Sequence, residues 1–276
     1  MITLRRRGRF GGASFPRRSG ARASLLAPQS SRRRAPFGAS PLARQSFAVA
    51  VVGVLAAYNN TGGGSRYRQR WYPATNLAAA GLLLAAAAAS GLTAADLGLT
   101  PGRVPAGLRC ASGPAATLAA AWLALAATPA TRPVLADRRI TGLTWPQVGY
   151  QVTVRIPVGT VLWEETAFRG VLQAALRRVL PGPAAIAVTS GVFGIWHIRP
   201  TIAALRVNDV ETGSRAGWAA VAAAVAGTAA VGGLLSGFRH RSGSLAAPVL
   251  LHLTANCGAA LAARAVAGAR RVPAGR

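Results

Sequence analysis

The chain has 276 residues, of which 51% are hydrophobic, and its formal charge of +26 comes from arginine opposed by only six acidic residues. Such a hydrophobic fraction is high for a soluble protein and indicates the membrane class. The basic charge does not indicate a nucleic-acid partner, because the interleaved aromatic residues and β-sheet modules expected there are absent, and attraction to anionic lipid headgroups explains it more simply.

The N-terminal residues 1–46 combine clusters of arginine with Ser, Gly and Pro and contain no acidic residue. A segment of this composition cannot bury a core, so we expect a disordered tail outside the fold. It resembles an Arg- and Ser-rich transit peptide, and a polybasic cytoplasmic tail or a wrongly assigned start codon explains it equally well.

Apolar runs in the rest of the chain predict an all-α, polytopic transmembrane helix bundle of about six to seven membrane helices. We divide it into N-terminal membrane helices, 47–144, and a core, 145–276, and expect a multi-pass protein of the cell membrane. The predicted helices are 47–58, 74–92, 111–127, a helix that starts near residue 144, and then 184–198, 216–238 and 244–263. The segments 96–109 and 199–215 are predicted loops, and Arg155 and Pro157 are expected to interrupt the fourth helix.

Two of the six acidic residues, Glu164 and Glu165, are adjacent and lie between apolar stretches. Carboxylates in such a setting are costly unless they are paired or hydrogen-bonded. The structural alternative is a salt bridge between Glu165 and Arg169, four residues later, which would only fix the packing of the helix. It would leave Glu164 without a partner, because consecutive helical residues point about 100° apart. Glu164 is therefore the better candidate for a functional carboxylate.

Three predicted helices each carry a pair of residues spaced by four, which places both members on one helix face. The pairs are Glu165 with Arg169, Phe193 with His197, and His252 with Asn256. A lone histidine in a helix is more often a satisfied core residue than a catalyst. Several buried polar groups on separate helices satisfy one another most easily by meeting, so we expect Glu164, His197, His252 and Asn256 to converge in one polar pocket.

In order and context, these pairs resemble the three motifs of the CPBP family of intramembrane proteases, which includes CAAX prenyl endopeptidases and bacteriocin-processing enzymes. The resemblance covers roughly residues 145–263, with the typical contexts Phe193-Gly194-Ile195-Trp196-His197 and Gly243-Ser244-Leu245. It implies an intramembrane endopeptidase in which Glu164 and His197 activate water while His252 and Asn256 stabilise the oxyanion. The implied substrate is a CAAX-type or other membrane-associated peptide, with or without a lipid. Glu165 and Arg169 would be a supporting pair, and Phe193 a packing residue.

The residues leave a zinc-dependent mechanism open as an alternative. Glu164, His197 and His252 could serve as zinc ligands. Against this, the chain has no His-Glu-x-x-His pair and Asn256 is a weak ligand, so we expect no cofactor. Cys110 and the chain's other cysteine are too few for a disulfide framework or a cysteine-based metal motif.

Two hypotheses without catalysis compete with the peptidase. In the first, a membrane scaffold, immunity protein or sensor uses the polar cluster to bind a partner. In the second, a transporter uses it as a proton relay, but the internal repeats typical of transporters are absent. An inactive relative would usually lack one of the motif residues, and this chain has all of them, which favours the enzyme.

Overall fold

The computed structural model describes residues 40–61 and 70–269, and all regular structure in these ranges is helical. Eight principal helices are labelled α1 to α8 in chain order. They are α1 Pro41–Thr61, α2 Tyr72–Ala89, α3 Val104–Ala127, α4 145–176, α5 Gly182–Trp196, α6 Ile198–Val207, α7 Arg215–Ser242 and α8 Ala246–Ala269. Shorter helices are Ala94–Leu97, Pro101–Arg103, Pro129–Thr131, Arg132–Leu135 and Arg138–Thr141. The all-α class predicted from the apolar runs is confirmed.

Several predicted boundaries were wrong. Helix α1 begins at Pro41, so the last residues of the expected disordered tail 1–46 are helical. Residues 1–39 of this tail lie outside the described residues. Helix α3 begins at Val104, inside a predicted loop, with Pro105 in its first turn. A proline there costs little, because its missing N–H would have no intrahelical acceptor. The second predicted loop, 199–215, contains helix α6.

Helix α4 is an unbroken helical run, so the expected interruption at Arg155 and Pro157 was also wrong. Two of its segments, Gln151–Leu162 and Thr166–Leu172, are π-helical, and Pro157 lies in the first. A π-helix bonds each N–H to the carbonyl five residues earlier and is frequent at functional sites. The Arg155 guanidinium lies 4.6 Å from the ring centroid of Tyr72 on α2, and a cation over an aromatic face is a favourable contact.

Five helices in the described ranges are long and apolar enough to cross a membrane: 41–60, 72–89, 94–127, 215–242 and 246–267. The chain is therefore a multi-pass, membrane-embedded protein. The sequence-based count of six to seven membrane helices also includes α4 and α5, which carry the candidate site and are not among these five.

Helix α4 lies between the helices that carry the other candidate residues. Helices α2 and α8 pack along its first half, while α5 packs along α7 and α3 along α8. The α5–α7 approach depends on Gly194, since a Cβ at this position would lie 2.7 Å from the carbonyl oxygen of Val225. This packing brings helices from both halves of the chain around the two glutamates.

Candidate active site

The two glutamates lie at the centre of α4, in the α-helical turn Trp163–Glu165 between the two π-helical segments. Glu164 is 5% exposed and Glu165 is fully buried, as is Arg169 at 1% exposed. Buried charges require partners because desolvation penalises the charged form. The contacts of these three side chains therefore define the site.

Glu165 contacts two partners through one oxygen. Its Oε1 lies 3.0 Å from Nη1 of Arg169 and 2.7 Å from Nδ1 of His252 on α8. The sequence assigned Glu165 only to Arg169, so its contact with a candidate catalytic histidine is a finding of the structure. An ionised carboxylate can only accept, so Nδ1 of His252 carries the hydrogen and the Nε2 of neutral His252 is an acceptor.

Glu164 is held from the opposite side. Its Oε1 accepts a hydrogen bond of 3.1 Å from the indole Nε1 of Trp196 at the end of α5. Its Oε2 lies 3.9 Å from Nε2 of His252 and has no hydrogen-bond partner among the described residues. The His252 ring thus spans the two glutamates, and one oxygen of Glu164 remains available beside an imidazole nitrogen.

His197 lies at the C-cap of α5, one residue beyond the helix in which it was expected. Its Nδ1 lies 2.7 Å from the carbonyl oxygen of Phe193, which can only accept, so Nδ1 is the protonated nitrogen. Within the described ranges, no hydrogen bond or ion pair joins His197 to Glu164. The half-buried ring is linked to the site through Phe193 instead.

Phe193 is the common packing partner of the charged and imidazole groups. Its ring centroid lies 4.6 Å from that of His197, 6.2 Å from that of His252, and 4.0 Å from the guanidinium carbon of Arg169. A cation over an aromatic face is favourable, more so when desolvated. Gly232 on α7 leaves room for this stack, since a Cβ there would lie 3.1 Å from Phe193. Both histidines therefore flank one aromatic ring.

Asn256 lies one turn beyond His252 on α8 and is half-buried. Its side chain makes no hydrogen bond in the part of the chain that the structure describes. The spacing of four places it on the face of His252, but no hydrogen bond joins it to the glutamates within the described ranges. Of the four residues expected to converge, Glu164 and His252 meet, His197 adjoins them through Phe193, and Asn256 lies one turn from His252 without a hydrogen bond to the other three.

Sequence reasoning missed the aromatic side chains that support Glu164. Trp196 donates to it and stacks on Tyr58 of α1, with ring centroids 5.6 Å apart and planes 4° from parallel. Tyr58 also donates to Asn76 of α2, whose amide in turn donates to the carbonyl of Gly159 on α4. Trp196 precedes His197 in the typical motif context, which was the one signal that could have identified it.

The residues do not fit a zinc centre. Among the described residues, no group of three or more His, Cys, Asp and Glu side chains is arranged to hold a metal ion. The Nδ1 atoms of His252 and His197 are engaged by Glu165 and by the Phe193 carbonyl, so only the Nε2 atom of each ring could bind an ion.

Comparison with known proteins supplies the family. A family model described as type II CAAX prenyl endopeptidase Rce1-like matches residues 146–258. Residues 146–258 form an Rce1-like domain of this family. The matched Rce1-like domain runs from α4 into α8 and includes all the candidate residues: Glu164, Glu165, Arg169, Phe193, His197, His252 and Asn256. No curated protein and no solved structure shows significant similarity to the chain.

The match assigns residues 146–258 to a family of membrane proteases, as the three motifs predicted. The first two membrane helices and α3 precede the Rce1-like domain, yet they contribute directly to its surroundings. Tyr58 and Asn76 belong to α1 and α2, and α3 packs along α8.

Proposed function

We propose that this chain is a membrane-embedded endopeptidase of the cell membrane that hydrolyses a peptide bond by water activated at Glu164. The substrate we propose is a CAAX-type or other membrane-associated peptide, in keeping with the family's description. The observation that carries the proposal is the buried Glu164, whose Oε2 has no hydrogen-bond partner among the described residues and lies 3.9 Å from Nε2 of His252.

Two acceptors at this separation can hold one water molecule. A water oxygen about 2.8 Å from each completes a triangle with the 3.9 Å side and can donate one hydrogen to each acceptor. Its lone pairs then point away from both groups, toward a substrate carbonyl. This assigns the water to Glu164 and His252, whereas the family resemblance paired Glu164 with His197.

The proposed reaction transfers one proton at each step. The water oxygen attacks the carbonyl carbon while its proton passes to Glu164, and Asn256 donates a hydrogen bond to the oxyanion. The C–N bond then breaks, and the leaving nitrogen takes the proton that Glu164 received from the water, which restores the Glu164 carboxylate. His197 carries its hydrogen on Nδ1, so its Nε2 can accept a hydrogen bond from the leaving N–H. Contacts of this kind are often long without substrate and tighten when it binds.

A comparison of peptide termini in membranes tests the proposal even while the substrate is unidentified. Membranes that contain the wild-type chain should show new peptide ends that are missing with Glu164→Gln, and His252→Ala should reduce their yield more strongly than Asn256→Ala. Identical ends in wild type and Glu164→Gln would overturn the peptidase and favour the scaffold or sensor.

A purified assay then identifies the class of peptide. A synthetic peptide with a C-terminal CAAX sequence is supplied to the full chain in nanodiscs, with and without a farnesyl group on its cysteine. Cleavage that requires the farnesyl group supports a lipidated substrate, whereas equal cleavage of both forms supports recognition of the peptide alone.

A further inference from the structure

A second site lies away from the glutamates, between the start of α3 and the end of α7. Here the protein forms a cleft of about 660 Å³. Its lining combines three arginines with a cysteine and apolar side chains, among them Arg103, Arg109, Arg241, Cys110, Pro114 and Phe238. The α3 side of the cleft lies outside the matched residues 146–258, whereas Phe238 and Arg241 lie inside them, and none of these residues is among the candidate site residues.

The three arginines of the cleft are exposed and carry uncompensated charge. Among the described residues, no carboxylate forms a salt bridge with Arg103, Arg109 or Arg241. Asp96, which contacts the same end of α7, is already engaged, since its carboxylate lies 3.4 Å from Arg178 and its carbonyl oxygen accepts from Arg239 at 2.8 Å. Three guanidinium groups around one cleft favour an anion, and their planar donors match phosphate oxygens.

The remaining walls of the cleft are apolar and belong to membrane helices. Pro114 lies in α3, and Phe238 lies in α7 before the final turn. Both helices are long and apolar enough to cross a membrane. A soluble anion would use only the arginines, whereas a phospholipid would place its headgroup among them and its acyl chains along the two helices. Basic pockets between membrane helices bind lipid headgroups in this way.

We propose that this cleft binds the headgroup of an anionic glycerophospholipid. Arg103, Arg109 and Arg241 hold the phosphate, and the lipid tails follow the apolar groove between α3 and α7. The site is separate from the proposed catalytic centre, so lipid binding can be measured without any peptidase activity.

Cys110 provides a reporter inside the cleft, where it is half-buried. The full chain carrying Cys257→Ser is placed in nanodiscs of phosphatidylcholine alone or mixed with phosphatidylglycerol, and its alkylation by a water-soluble maleimide is timed. Occupation of the cleft by phosphatidylglycerol should slow alkylation at least threefold relative to phosphatidylcholine. Equal rates in the two lipids would overturn the proposal.

Two matched double variants test the role of the arginines. Arg103→Gln/Arg241→Gln should abolish the slowing by phosphatidylglycerol. The control Arg206→Gln/Arg215→Gln removes the same charge from exposed positions in α6 and at the first residue of α7, and it should preserve the slowing. Slowing that persists in the first variant, or disappears equally in both, would contradict a specific site.

Inorganic phosphate separates a lipid from a soluble anion. In phosphatidylcholine nanodiscs, phosphate at millimolar concentration should leave the alkylation of Cys110 unchanged, and protection equal to that by phosphatidylglycerol would overturn the lipid assignment. Native mass spectrometry gives a second readout that does not depend on cysteine access. Wild type should retain at least one more phosphatidylglycerol than the Arg103→Gln/Arg241→Gln variant, and equal retention would contradict the proposal.

Discussion

The adjacent glutamates should respond in opposite ways to the same substitution. Glu165→Gln leaves the guanidinium of Arg169 in a fully buried position without its ion-pair partner at 3.0 Å. Nε and Nη2 of Arg169 have no hydrogen-bond partner among the described residues, so the contact with the Phe193 ring would be the main compensation left for the charge. Removal of one member of a buried pair costs about 3–5 kcal/mol. This is a large share of a typical folding free energy of roughly 5–15 kcal/mol.

Glu164→Gln should affect chemistry and leave stability nearly unchanged. The amide oxygen of the new side chain can still accept the hydrogen bond from Trp196, so we expect a stability change of at most about 1 kcal/mol. The amide cannot take a proton from water. Since general bases contribute roughly 10²–10⁴-fold, peptidase activity should fall by at least about 10²-fold.

Thermal unfolding in detergent and cleavage in nanodiscs, measured on the same preparations, compare the two variants. The double variant Glu165→Gln/Arg169→Leu is the control. It should regain part of the stability lost in Glu165→Gln, because no buried charge remains uncompensated. Equal destabilisation by Glu164→Gln and Glu165→Gln would refute the division of roles, as would a double variant less stable than Glu165→Gln.

Three further predictions address other contacts. Trp196→Phe removes the donor to Glu164 and should lower kcat/KM about tenfold or more, because hydrogen bonds to charged groups contribute about 1.5–3 kcal/mol. Trp163→Phe is the control, since the indole N–H of Trp163 has no hydrogen-bond partner in the described ranges. Equal losses of kcat/KM in the two variants would contradict the prediction. Burial raises the pKa of Asp137, but hydrogen bonds from Arg139 outweigh it and hold this pKa below its ordinary value. Wild type should therefore exceed Asp137→Asn in thermal stability at pH 7 by a few tenths of a kcal/mol, since the ion pair with Arg139 is partly exposed. This advantage should shrink as pH falls below about 4 and the carboxylate protonates, and an advantage as large at pH 3 as at pH 7 would count against it. Finally, activity should survive exhaustive chelation, and stoichiometric zinc, with activity lost on its removal and restored on its return, would disprove a metal-free reaction.

The fold class could be predicted because long apolar runs are a local property of the sequence. The boundaries of the helices were less predictable, since they depend on the position of single residues such as proline within a helix. Pro105 favours a loop when it is considered by residue type, although a proline also suits the first turn of a helix such as α3. Pro157 likewise predicts an interruption, but α4 continues through it as a π-helix. Neither outcome can be predicted from the residue type alone.

The motif spacing identified the residues of the site but not which of them are partners. A spacing of four predicts the contact between Glu165 and Arg169, because both lie on one helix. The contact between Glu165 and His252 joins positions 87 apart in the chain, and it depends on how α8 packs against α4. For the same reason, nothing local in the sequence indicated that Trp196 would donate to Glu164.

The contacts give a physical reason for two adjacent glutamates in this site. Arg169 fixes Glu165, and Glu165 fixes the hydrogen of His252 on Nδ1, so the acceptor Nε2 is left on the side of Glu164. One glutamate thus holds this tautomer, while the other places an oxygen without a hydrogen-bond partner among the described residues near Nε2. Consecutive residues point about 100° apart on the helix, which lets one glutamate meet the ion pair while the other meets Trp196. The buried ion pair therefore supports the chemistry through the orientation of His252, in the way that hydrogen bonds to histidine fix its tautomer in other active sites.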